Sequence, residues 1–116
     1  MGIYKSTGIQ VSLVMSSIRP WLWKRLMTSL VENDINIEVI FVGDCLPTED
    51  YSFIGDNISY EFIYSRVKPA QCYEIGFRAA QGEIVHWTAD EAIYSPHALD
   101  IQYNFHSTTV LNLPYL

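Results

Sequence analysis

Two stretches with apolar residues at three- and four-residue spacing, each held between short runs of β-branched and long apolar residues, constrain this chain most. Ile9 to Met15 reads as a strand, and Pro20 then opens a helix where its missing N–H costs nothing. Leu22, Trp23, Leu26, Met27, Leu30 and Val31 recur at helical spacing, with Lys24, Arg25 and Glu32 on the other face. That helix is expected to end near Asn33-Asp34. Ile37 to Val42 is an apolar run broken only by Glu38, as expected of a central strand covered on both faces. After an irregular stretch from Cys45 to Asn57, Ile58, Tyr60, Phe62 and Tyr64 alternate with more polar residues, the pattern of an edge strand. A second helix is expected over Pro69 to Gln81, with Cys72, Ile75, Gly76, Ala79 and Ala80 on one stripe and Gly82 as its C-terminal cap. Ile84 to Trp87 gives a fourth strand. Ser95-Pro96 has the residue types of a helix start, and Thr108 to Leu113 is a candidate further strand.

Strands alternating with helices predict an α/β fold with a mostly parallel sheet and right-handed crossovers. If the first strand is central, the order 3-2-1-4 follows, with the reversal between strands one and four. Ligands of such sheets bind outside the carboxyl ends of the strands, near that reversal. Ser16-Ser17, Asp44 and the adjacent acids Asp90-Glu91 all follow strands and are expected to converge on that rim. Neighbouring carboxylates there suit a hard divalent cation, which takes oxygen ligands and shares them with a substrate's phosphates. The plain alternative is that these acids are solvated strand-end residues, since acids favour turns.

At 116 residues the chain is expected to form one domain, 1–116. Its net charge of −6, with the seven basic residues scattered, argues against a nucleic-acid partner. No apolar run approaches the roughly 18 residues that a membrane span needs. No basic stretch with an apolar core opens the chain, so a cytoplasmic location is expected, although Met1-Gly2-Ile3-Tyr4-Lys5-Ser6 fits the short myristoylation pattern. Cys45 and Cys72 make no disulfide framework and read as free thiols.

Three blocks of this sequence resemble the nucleotide-binding half of family-2 glycosyltransferases, which have the three-layer, Rossmann-like GT-A fold. VSLVMSSIRPWLWKRLMTSL is similar to their first strand and helix. IEVIFVGD is similar to their second strand and its Asp-Asp turn. KPAQCYEIGFRAAQGEIVHWTADEAIYSPHALD is similar to the family's helix, Gly-Glu, strand, DxD and Ser-Pro-x-x-Leu run. The resemblance implies a nucleoside diphosphate sugar as ligand, with Asp44 on the base, usually uracil, and Ser16 and Ser17 on the loop around the nucleoside. Asp90 and Glu91 fall in the DxD region and would hold Mn²⁺ or Mg²⁺ on the diphosphate, where the metal neutralises charge on the leaving group. Lys68 and Gln71 fall where side chains approach the phosphates or the base; Tyr73 is a further candidate by stacking.

The departures are specific. Ala89 stands where one acid of the usual motif would be, and Gly43 replaces the first acid of the Asp-Asp pair. The Pro-Thr turn is Ser-Ser here. The family's full domain is longer, and its second half supplies acceptor recognition and the general base; no residue here matches that base. The chain therefore reads as a donor-binding half, and a non-catalytic nucleotide-binding or interaction module of the same fold is the competing reading. A receiver-like signalling domain would want acids directly after the first strand, and a dinucleotide oxidoreductase a Gly-x-Gly-x-x-Gly there. Neither is present. Without further strands beside the fourth, that edge would be open to pairing with a second copy. Trp21, Trp23 and Trp87 are expected in the core, His86 as a core or edge histidine, and His97 on an exposed helix face.

Overall fold

A computed structural model describes residues 8–48 and 50–109, with the side chains of 106–109 excepted. Seven elements follow in the order β1 (Val11–Ser16), α1 (Pro20–Leu30), β2 (Ile37–Gly43), β3 (Ile58–Tyr64), α2 (Pro69–Ala79), β4 (Ile84–Ala89) and α3 (Ala98–Thr109). The four strands form one sheet in the order β3-β2-β1-β4. Every pairing is parallel, with Val11 opposite both Ile37 and Ile84, and Ile37 opposite Ile58. The expected architecture is thus present, including the reversal between β1 and β4.

The period-two alternation of strand side chains divides the core into two layers. On one face Leu13, Met15, Ile37, Val39 and Phe41 pack against Trp23, Leu26, Met27 and Leu30 of α1 and Leu99 of α3, all essentially buried. Trp23, Phe41 and Phe62 stack in this layer, with centroids 4.6 to 5.5 Å apart. Burying one such large side chain contributes roughly 1.5–3 kcal/mol. On the other face Val14, Ile40 and Val42 meet Cys72 of α2. A Cβ on Gly76 would overlap Val14 and press on Val42, so the glycine lets α2 lie close to the sheet.

Glu38 is buried in that second layer because it ties two elements together. Its carboxylate accepts from the Ser12 hydroxyl and from Gln81 N, both at 2.6 Å, while Ser12 Oγ accepts from Gly82 N at 2.8 Å. The α2–β4 turn is therefore bonded under β1. Gly82 does not cap α2, which ends at Ala79; a Cβ at Gly82 would lie 2.7–3.0 Å from Ser12 and the end of Val11, and this close approach is what requires glycine.

α3 also begins differently from expectation. Ser95-Pro96 lies before it, His97 adopts a left-handed φ of 59°, and the helix starts at Ala98. Its cap comes from elsewhere in the chain: Asn33 Oδ1 accepts from Leu99 N and Asp100 N at 3.0 and 3.1 Å. In return Asp100 accepts from Asp34 N and Ile35 N at 2.9 Å, so the start of α3 and the α1–β2 turn cap each other. Thr108 and Thr109 are helical, and the rest of the expected further strand, 110–113, lies outside the described residues, as does the Met1–Ser6 motif.

The bond between His97 Nδ1 and Asp100 Oδ2, at 2.7 Å, raises the imidazole above its ordinary 6.5. Burial alone would raise Asp100, but the bonds from His97, Asp34 N and Ile35 N outweigh it and hold the carboxyl below its ordinary 3.8. For the raised histidine, the stabilising charge is fully present below the unfolded imidazole pKa and is lost as pH rises through the folded value. For the depressed aspartate, the contribution is present above the unfolded carboxyl pKa and is lost as pH falls through the folded one. The pair therefore stabilises most between about pH 4.5 and 6.5. Thermal unfolding of His97→Gln against the native chain should show a Tm gap near about pH 5.5 that narrows as pH rises through the folded imidazole's pKa; a gap independent of pH would contradict this assignment.

Among the described residues nothing pairs with the outer edge of β4, the edge at which self-association is expected. Trp87 is 65 % exposed there, contrary to its expected core position, because α2 sits mainly over β1 and β2 and reaches that side of β4 through Tyr73. Trp21, at the entrance of α1, is likewise exposed, whereas Trp23 is fully buried. No helix among the described residues is long and apolar enough to cross a membrane.

Candidate functional site

The carboxyl ends of β1 and β2 and the chain between β3 and α2 enclose a cleft of about 210 Å³, lined by Ser16, Ile18, Gly43, Asp44, Ser65, Arg66, Val67, Pro69 and Cys72. Main-chain bonds fix its walls: Ser17 N donates to Val42 O at 2.8 Å, and Ser65 N to Gly43 O at 2.9 Å. Gly43 is required by the first of these contacts, because a Cβ there would overlap the Ser17 carbonyl oxygen. Asp44 is the acid in the wall, half-exposed, with Arg66 Nε 3.9 Å from its Oδ2. Sequence reasoning misses Arg66; only its position just after the alternating third strand points to it.

The other expected site residues divide. Ser16 lines the cleft from the last position of β1. Ser17 does not face it: the residue is buried and its hydroxyl donates to Met15 O at 3.3 Å. Lys68 and Gln71 flank Pro69 at the start of α2, and Gln71 Oε1 accepts from Lys68 N at 3.3 Å, so this glutamine is engaged in starting the helix. Tyr73 turns toward β4, donating to Thr88 O at 2.9 Å and meeting Trp87 edge-on at 5.2 Å. Burial, then the neighbouring Asp44 carboxylate, push the Cys45 thiol up, which keeps it protonated and poorly nucleophilic at neutral pH.

Asp90, expected at the metal, is engaged with the β1–α1 loop. It is fully buried, and its Oδ2 accepts from Ile18 N (2.8 Å), Arg19 N (2.6 Å) and Trp23 Nε1 (3.0 Å). Its Oδ1 accepts from Arg19 Nη1 at 3.0 Å. Four donors occupy both oxygens, so the carboxylate clasps the β1–α1 loop to the end of β4. Arg19 Nη1 also lies 3.5 Å from Glu91 Oε1, and the Glu91 carbonyl accepts from Arg25 at 2.9 Å.

This donor set does not fit a divalent cation. Ala89 has no ligand atom, Asp90 is fully buried with donors on both oxygens, and Glu91, 58 % exposed, has a guanidinium beside its carboxylate. Mg²⁺ and Mn²⁺ take carboxylate oxygens that solvent and a substrate's phosphates can reach, and the buried Asp90 presents none. Among the described residues, the group of three potential ligands that does converge is Asp34, His97 and Asp100, at the opposite end of the strands, and there Asp100 already accepts from two main-chain N–H groups and the imidazole.

No protein-family profile matches this chain, and no curated protein does. Fourteen solved chains match by structure. One is the crystal structure of S. aureus TarS 1-349, a glycosyltransferase, which superposes with a TM-score of 0.64 at 18 % identity over 85 % of this chain. The match covers 32 % of the TarS chain, so this chain spans about a third of that length. At this level the likeness defines the fold: a glycosyltransferase-like, Rossmann-like α/β sheet in the order 3-2-1-4.

Proposed function

We propose that the cleft binds a nucleoside diphosphate sugar, with uracil the favoured base, and that the chain is the donor-binding part of a glycosyltransferase. The observation that carries this is the placing of Asp44 and Arg66, an anion and a cation, on a cleft over the carboxyl ends of the strands in a glycosyltransferase-like fold. A carboxylate there accepts the ring N–H of a base, and Ser16 offers a hydroxyl to the ribose. In transfer, an acceptor hydroxyl oxygen bonds to the anomeric carbon as the carbon–oxygen bond to the diphosphate breaks. The nucleoside diphosphate leaves with the bonding pair, and the hydroxyl proton passes to a general base, a group that the second half of family-2 enzymes supplies. The cleft is smaller than the roughly 300–1,000 Å³ of a complete small-molecule site, which suits one part of a larger pocket.

A thermal shift with UDP, GDP, CDP and dTDP tests the reading. A ligand at a hundred times its Kd stabilises by about 2.7 kcal/mol, several degrees for a domain of this size. One nucleotide should raise Tm, and Asp44→Ala should abolish the rise. No shift with any of the four would transfer the assignment to a non-catalytic interaction module.

A further inference from the structure

The misfit between the rim acids and a divalent cation leaves the charge of a bound diphosphate without its expected counter-ion. We propose that Arg66 and Lys68 hold that diphosphate in place of a metal, an inference that rests on the nucleotide-binding reading above.

A diphosphate brings about two to three negative charges to a chain whose net charge is already −6, so binding requires local positive charge. The β4 side of the rim offers little. Arg19 is already committed, at 3.0 Å from Asp90 and 3.5 Å from Glu91. The β3–α2 side is different. Arg66 lines the cleft itself, its side chain is 75 % exposed, and its contact with Asp44 at 3.9 Å is long for an ion pair. Such a guanidinium can leave Asp44 to the base and turn its planar fork onto phosphate oxygens, the geometry that suits it best. Lys68 lies two residues on, exposed, at the head of the eleven-residue helix α2. The positive end of the α2 dipole adds to the same field. Asp44 and Arg66 thereby divide the ligand between them, the acid taking the base and the cation the diphosphate.

The test is isothermal titration of the whole chain with UDP, GDP, CDP and dTDP, in EDTA and in Mn²⁺, repeated on Arg66→Gln, Lys68→Gln and Glu91→Gln. The three side chains are exposed, and far-UV circular dichroism checks that each variant stays folded. The nucleotide that binds should do so with the same Kd, within twofold, in EDTA and in Mn²⁺. Arg66→Gln should weaken it at least tenfold and Lys68→Gln severalfold, while Glu91→Gln leaves it within twofold. The parent nucleoside, lacking phosphates, should not distinguish Arg66→Gln from the native chain. Binding that appears only with Mn²⁺ and vanishes in Glu91→Gln would overturn the inference and leave the nucleotide reading standing. Binding by none of the four under either condition would overturn both.

Discussion

Replacing Asp90 by alanine should cost about 2–4 kcal/mol, because a fully buried carboxylate that accepts from several donors is removed. The reason is the number of groups that depend on it. Ile18 N, Arg19 N and the Trp23 indole N–H would lose their acceptor, and Arg19 would lose a carboxylate. The Trp23 indole N–H, fully buried, would cost roughly 1–3 kcal/mol without a partner, and the part-buried Ile18 and Arg19 N–H groups less. Against a total stability of about 5–15 kcal/mol, that is a large share of what holds the chain folded. Asp90→Asn, which keeps one carbonyl oxygen in place, should lose less. Urea unfolding of both variants provides the measurement; a loss under about 1 kcal/mol in Asp90→Ala would contradict the clasp. Loss of nucleotide binding in Asp90→Ala would therefore report on the fold and not on a metal.

The second large effect is expected at Gly43. Gly43→Asp would recreate the acid pair that the glycosyltransferase resemblance leads one to expect, yet it should impair the chain. Its Cβ would overlap the Ser17 carbonyl, which is main chain and is held by the bond from Ser17 N to Val42 O. Overpacking of this kind typically costs about 1–3 kcal/mol, and a backbone neighbour that cannot swing aside places the change at or above the upper end. Gly43→Ala should already show most of the loss, since the overlap arises at Cβ. A Gly43→Asp chain with native unfolding behaviour would mean that the β1 and β2 ends separate easily. Such movement would leave the cleft without a fixed wall.

The sheet is legible in the sequence because its signals are local and repeated. The β-branched run of β2, the alternation of β3 and the Pro20 and Pro69 helix starts each specify an element from a few neighbouring residues, and together they imply the 3-2-1-4 order. Asp44 and Ser16 are legible for the same reason, since residues that follow parallel strands share a rim. What escapes depends on contacts distant in sequence. That Asp90 faces Trp23 and the Ile18-Arg19 backbone, some seventy residues earlier, has no local signal around Asp90. Asn33 caps a helix 66 residues away, and nothing in Ser95-Pro96 signals that they do not. Trp87 is misplaced by its sequence because an apolar strand residue looks the same whether or not a helix covers it.

The central claim is that the rim cleft binds a nucleoside diphosphate. Backbone amide NMR of the labelled chain, titrated with the four nucleotides in EDTA, tests it most directly. The account predicts that one nucleotide shifts the amides of Gly43, Asp44, Ser65, Arg66 and Val67 in a saturable way. Amides around the apolar groove between β4 and α3, formed by Val11, Ile84, Ile101 and Phe105, should stay still. Shifts confined to that groove, or none with any nucleotide, would contradict it.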